Sequence, residues 1–284
     1  MRNLILFSRN VMDETSQVLT NFSDLLTRLV RDSSGFSISL SPDWQQGRTA
    51  YGGLLAALAL HATRQAFADS PPLRSAQFIF FAPATGALRL TPSMLRRGKS
   101  ALFVGVEIES EAGLCARAHF CFGSARDIDP DFLDVPQPAT SPADECPEFF
   151  TWPNQPQFRQ HFEGRLVKGG RPGNPSSRPE MLVWMRHRDK HVAADYVGLL
   201  ALADALPPSS FALYEDAVPL STMTWAIDFL TAKCPVSPDG WWLLQCAAEY
   251  VQHGYSTQGT AIWNSAGQPV LIARQTVALF NKTN

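Results

Sequence analysis

Tyr51-Gly52-Gly53-Leu54-Leu55-Ala56 returns as Tyr196-Val197-Gly198-Leu199-Leu200-Ala201, at an offset of 145 (196 − 51). Each copy opens an apolar helix with glycine in its first turn. In the first, about residues 51–68, Tyr51, Leu54, Leu55, Leu58 and Ala62 recur at i, i+3, i+4, i+7 and i+11, the spacing of a core-facing helix. In the second, Asp195 stands at the N-cap position and Pro207-Pro208 stops the helix at about Leu206.

The elements around the helices repeat as well. Upstream of the first, residues 22–30 show a helical period, and Phe36–Leu40 alternates as a half-buried strand does before Pro42-Asp43 turns the chain towards Trp44 and Gly47. Downstream, four apolar runs bounded by Pro, Gly or charge span 73–81, 88–95, 101–108 and 114–122. The second half predicts strands at 158–167, 181–186, 220–231, 240–252, 256–264 and 269–280. Leu95-Arg96-Arg97-Gly98-Lys99-Ser100 matches Val251-Gln252-His253-Gly254-Tyr255-Ser256, and Ala112-Gly113 matches Ala266-Gly267. Three matches in one order define an internal duplication, each copy a helix followed by an antiparallel meander. The Pro- and acid-rich stretch 127–153 reads as the linker between copies.

The 284 residues suit two domains, and 45% hydrophobic residues supply ordinary cores. With 24 Lys and Arg against 26 Asp and Glu, the net charge of −2 gives no footprint for nucleic acid. Five scattered cysteines, without a CxxC, argue against a disulfide framework and for a reducing cytoplasm. The early run Leu4-Ile5-Leu6-Phe7 is too short for a membrane span or secretory signal, so residues 1–20 read as a disordered extension. GxSxG, GxxxxGK[ST] and HExxH are absent from the sequence, and His187 and His191, four apart, have no companion metal signal. A small or amphiphilic ligand, without metal or cofactor, is the expectation.

The Gly-Gly helix start, Leu95-Arg96-Arg97-Gly98, Asp239-Gly240-Trp241-Trp242-Leu243-Leu244 and the terminal Ala266-Gly267…Ala273-Arg274-Gln275 together resemble the acyl-CoA thioesterase II family over about residues 22–281. The resemblance implies an α+β double hotdog: two antiparallel sheets, each wrapped around a long central helix. It places an N-terminal hotdog at 21–126 and a C-terminal one at 154–284. It implies hydrolysis of acyl-CoA to free acid and CoA by water, without a covalent intermediate, in a dimer or larger homo-oligomer. A non-catalytic acyl-CoA-binding protein, or a hydroxyacyl-thioester dehydratase using His253, are the alternatives.

For the site, the first amides of a helix lack intrahelical acceptors and lie at the positive end of its dipole, so Gly52, Gly53 and Leu54 can face a developing oxyanion. Tyr51 stands where relatives often have His and could line the same mouth. Alternation in β-structure puts Thr224, Ala226 and Asp228 on one face and Trp225, Ile227 and Phe229 on the other. Asp228 is then either a base at the cleft or a strand-end carboxylate in solvent. By resemblance, the family aspartate falls at Thr224, the glutamine at Gln275, and a hydroxyl residue near Tyr250. Arg96, Arg97 and Lys99 at one turn, or Arg186, Arg188 and Lys190 before the second helix, could meet CoA phosphates or form solvated edges. Opposite Gln275 the first copy has Cys121, so one functional site per chain is expected.

Overall fold

The computed structural model describes residues 19–171, 173–215 and 218–280; the expectation for residues 1–18 lies outside them. The helix α1 (Phe22–Thr27) precedes β1 (Val30–Asp32) and β2 (Gly35–Ser39). A short hairpin, β3 (Gln45–Gln46) and β4 (Thr49–Ala50), leads into α2 (Gly52–Ala66) and the strands β5 (Leu73–Phe80), β6 (Ala87–Arg97), β7 (Ala101–Ser110) and β8 (Gly113–Gly123). After the connection come β9 (Phe162–Gly169), β10 (Glu180–His187), α3 (Tyr196–Ala203), β11 (Leu220–Phe229), β12 (Trp242–Gln252), β13 (Tyr255–Asn264) and β14 (Pro269–Leu279).

Two separate sheets are not what forms. Apart from the β3–β4 hairpin, the strands make a single 12-stranded antiparallel sheet, ordered β1-β2-β6-β7-β8-β5-β11-β14-β13-β12-β10-β9. Read outward from the central β5·β11 pair, one arm runs β5, β8, β7, β6, β2 and the other β11, β14, β13, β12, β10, the same sequence of elements in each copy. Two exposed edges that alternate apolar and polar residues can pair with each other, and the tilted contact of the Phe78 and Trp225 rings, centroids 5.4 Å apart, helps hold this seam. The matched turn glycines Gly113 and Gly267 both take positive φ, +108° and +84°, where a side chain would strain the hairpin.

α2 is buried on nearly every side because it lies between the sheet and α3. Its alanines let the helices approach closely. The helices run antiparallel: Tyr51, at the start of α2, donates to the Ala201 carbonyl near the end of α3 at 2.8 Å, while Arg64, near the end of α2, pairs with Asp195 at the start of α3 at 3.1 Å. α3 is only eight residues long, not a long central helix, because the chain turns at Asp204 before Pro207. The 127–153 stretch is not all linker: Phe149 and Phe150 are buried, and Glu148 bridges Arg165 of β9.

Candidate active site

α2 begins without a side-chain cap. Tyr51 occupies the N-cap position, but it is fully buried with its ring stacked 3.9 Å from Phe158. Burial pushes its phenol well above the usual range, so Tyr51 anchors the helix start rather than lining a mouth. The first intrahelical bond runs from Leu55 N–H to the Tyr51 carbonyl, which leaves the amides of Gly52, Gly53 and Leu54 without acceptors in the helix. Leu54 itself is buried, whereas Gly52 borders a cavity.

The antiparallel helix pair brings Asp204, which ends α3, to this open start of α2. A Cβ on Gly52 would stand 2.7 Å from Asp204 Oδ2, so glycine is needed for the carboxylate to approach. Gln275 Nε2 donates to Asp204 Oδ1 at 2.7 Å. Burial pushes the Asp204 carboxyl up to about 7, against the opposing pull of hydrogen bonds from Gln275 and the Gly53 backbone. A carboxylate balanced near neutrality, within a cleft, can take a proton from water at working pH.

Asp204 and Gln275 lie in the wall of a cavity of about 960 Å3. Phe150, Trp152, Phe158, Leu206 and Phe211 supply an apolar side, and Arg48, exposed in the β3–β4 turn, stands at its rim. A smaller cavity of about 110 Å3 abuts it and reaches Gly52. Thr222 and Ser221 border both cavities.

Of the residues singled out in the sequence, Gly52, Gly53 and Gln275 come together here. Asp228 and Thr224 do not join them. They lie on the exposed face of β11, while Trp225, Ile227 and Phe229 turn into the core. A register shift between Thr222 and Thr224 reverses the alternation, and it is Thr222 that meets the cavity. Tyr250 is 41% exposed beside another register shift, in β12, and lines neither cavity. Arg96, Arg97 and Lys99 are exposed at the β6–β7 turn, away from both, with Arg97 paired to Asp69 at 2.9 Å. Arg186 is engaged by Glu163 at 2.7 Å and lies over the Trp241 ring, and Arg188 donates to the Phe162 carbonyl. Lys190 borders a different cavity. His253 sits in the β12–β13 turn at φ +54°.

Asp204 was not among the sequence candidates, although one signal pointed to it. The repeat aligns it with Ala59 (204 − 145), so it is a lone carboxylate substituted into an otherwise apolar helix. The copies also differ at their helix starts. Asp195 accepts from the Val197 and Gly198 amides at 2.8 and 3.0 Å, which closes the end of α3 that corresponds to the open end of α2.

Solved structures place this architecture among hotdog folds. A conserved protein of unknown function with a hotdog fold from Alicyclobacillus acidocaldarius is 22% identical, with TM-score 0.81, covering 93% of this chain and 100% of that one. A putative thioesterase II from Thermobifida fusca is 20% identical, with TM-score 0.77 over 93% and 99% of the two chains. An acyl-CoA thioesterase II, TesB2, from Mycobacterium marinum is 16% identical, with TM-score 0.72 over 92% and 98%. No curated protein matched by sequence. The acyl-CoA thioesterase N-terminal domain matches residues 40–123 and the acyl-CoA thioesterase C-terminal domain residues 135–279, and the chain belongs to this acyl-CoA thioesterase family.

Proposed function

We infer that the protein is an acyl-CoA thioesterase built as a duplicated hotdog, with one active site at the meeting of α2, α3, β11 and β14. The observation that carries this reading is Asp204, held near neutrality by burial, against the uncapped start of α2 and within hydrogen-bonding distance of Gln275.

Asp204 takes a proton from a water placed beside Thr222, and the water oxygen attacks the thioester carbonyl carbon. The carbonyl oxygen gains negative charge against the first turn of α2, where Gly52 gives access to the backbone. Collapse breaks the carbon–sulfur bond, and Asp204 returns the proton to the departing thiolate, leaving CoA and the free acid. The apolar wall of the larger cavity takes the acyl chain, and Arg48 suits a CoA phosphate. The family aspartate is thus assigned to Asp204 rather than Thr224 or Asp228. That assignment removes the motive for a binding-only protein. A dehydratase lacks support because, among the described residues, no histidine lines either cavity.

The test is thiol release from a panel of acyl-CoAs, from acetyl to palmitoyl, with enoyl product monitored in parallel. Release with at least one chain length supports the reading. Saturable binding without release, or enoyl formation, overturns it.

A further inference from the structure

Behind the Asp204–Gln275 pair runs a line of buried polar groups. Gln258 of β13 is 2% exposed and is the register partner of Gln275 on β14. The Ser209 backbone N–H, in the turn after α3, donates to Gln258 Oε1 at 2.8 Å, and the Ser209 hydroxyl lies 3.2 Å from the same oxygen. Gln258 Nε2 donates to Gln275 Oε1 at 2.6 Å, and Gln275 Nε2 donates to Asp204 Oδ1 at 2.7 Å.

The direction of this line follows from one group that has no choice. A backbone N–H can only donate, so Gln258 must turn its oxygen to Ser209 and its NH2 to Gln275. Gln275 must then present its oxygen to Gln258 and its NH2 to Asp204. Both amide orientations follow from the network and need no other assignment.

We propose that Gln258 is a positioning residue that fixes the side-chain amide of Gln275, so that an N–H rather than a carbonyl oxygen faces Asp204 in the cleft. The proposal rests on Asp204 acting as the base. With the amide reversed, an oxygen lone pair would oppose the carboxylate, and the protonated form of Asp204 would be favoured. Among the described residues, the titratable groups facing Asp204 from other elements are the Tyr51 phenol at the start of α2 and the Cys246 thiol of β12. Burial pushes both up, which keeps both neutral over the working range. Among the described residues, Arg48 is the other charged residue bordering the larger cavity. A change in the Asp204 titration on altering Gln258 therefore reports on Gln275.

Two variants of the full chain test this. Gln258→Leu removes the constraint. Gln258→Met is close in size, adds no charge, and removes the NH2 that holds the Gln275 oxygen. The Asp204 carboxyl is titrated by 13C NMR on labelled aspartate, assigned with Asp204→Asn, and the pH profile of kcat/KM is measured alongside. In both variants the Asp204 titration should move upward by about one pH unit, and the acidic limb of kcat/KM should move with it, a roughly tenfold loss well below the shifted midpoint. An unmoved Asp204 titration in both overturns the proposal, even if kcat falls, because a merely structural residue would lower activity without moving the limb. If Gln258→Leu does not fold, Gln258→Met decides the matter alone. If the wild-type protein releases no thiol, the hydrolytic reading fails, while the NMR titration still decides the role of Gln258.

Discussion

Asp204→Asn should abolish most of the chemistry while making the protein more stable, and the stability gain should depend on pH. The carboxyl titrates at about 7 in the folded protein against an ordinary value of 3.8. An acid raised on folding binds its proton more tightly in the native state, so its contribution is most favourable below pH 4 and is lost as pH rises through 7. At about 1.4 kcal/mol per pH unit the difference corresponds to about 4 kcal/mol, and screening by water in the open cavity reduces it to roughly 2–3 kcal/mol. Asparagine carries no charge and can still accept from Gln275 Nε2. The Tm of Asp204→Asn should therefore match that of the wild type near pH 4 and exceed it by roughly 4–10 °C at pH 8. Thiol release should fall by about 10²–10⁴-fold, the usual loss on removing a general base. Calorimetry at pH 4, 6 and 8 with a thiol-release assay measures both effects. A Tm difference that does not change with pH, or an asparagine variant with full activity, would refute the reasoning.

Gly52→Ala places a Cβ 2.7 Å from Asp204 Oδ2 and must displace the carboxylate, so kcat should drop by about 10²-fold; activity within twofold of wild type would contradict the packing argument. Asp228→Asn, on the exposed face of β11, should leave kcat/KM within about twofold, since the side chain does not reach the cleft. Asp195→Ala removes the acceptor for two amides of α3 and the partner of Arg64, and should cost about 1 kcal/mol, read as a Tm lowered by about 2–4 °C with kcat/KM unchanged.

Strand and helix positions were legible because burial on one side of a sheet imposes a two-residue period and burial of a helix stripe imposes 3.6. Every predicted strand after residue 70 is present, with bounds shifted by a few residues. The site was harder to read, for local reasons. The period-two argument holds from Thr224 to Phe229 but fails upstream, because a register shift inserts a residue and swings Thr222 to the cavity side. Gln275 could be found by its spacing from the turn glycine Gly267. Asp204 could not be found by strand reasoning, since it comes from the end of a helix in the other copy of the repeat.

The sequence by itself determined the duplication, the order of elements in each copy and the glycine-led start of α2, since these depend on local periodicity and turn chemistry. Only the tertiary structure decided that the two copies share one continuous sheet and that α2 and α3 run antiparallel. That arrangement sets the last residue of one helix against the first amides of the other, and no local pattern encodes a contact between residues about 150 positions apart. It also made the two ends unequal. Asp195 closes the start of α3, while at the start of α2 the Gly53 amide meets Asp204 from the other helix and Gly52 borders the cavity.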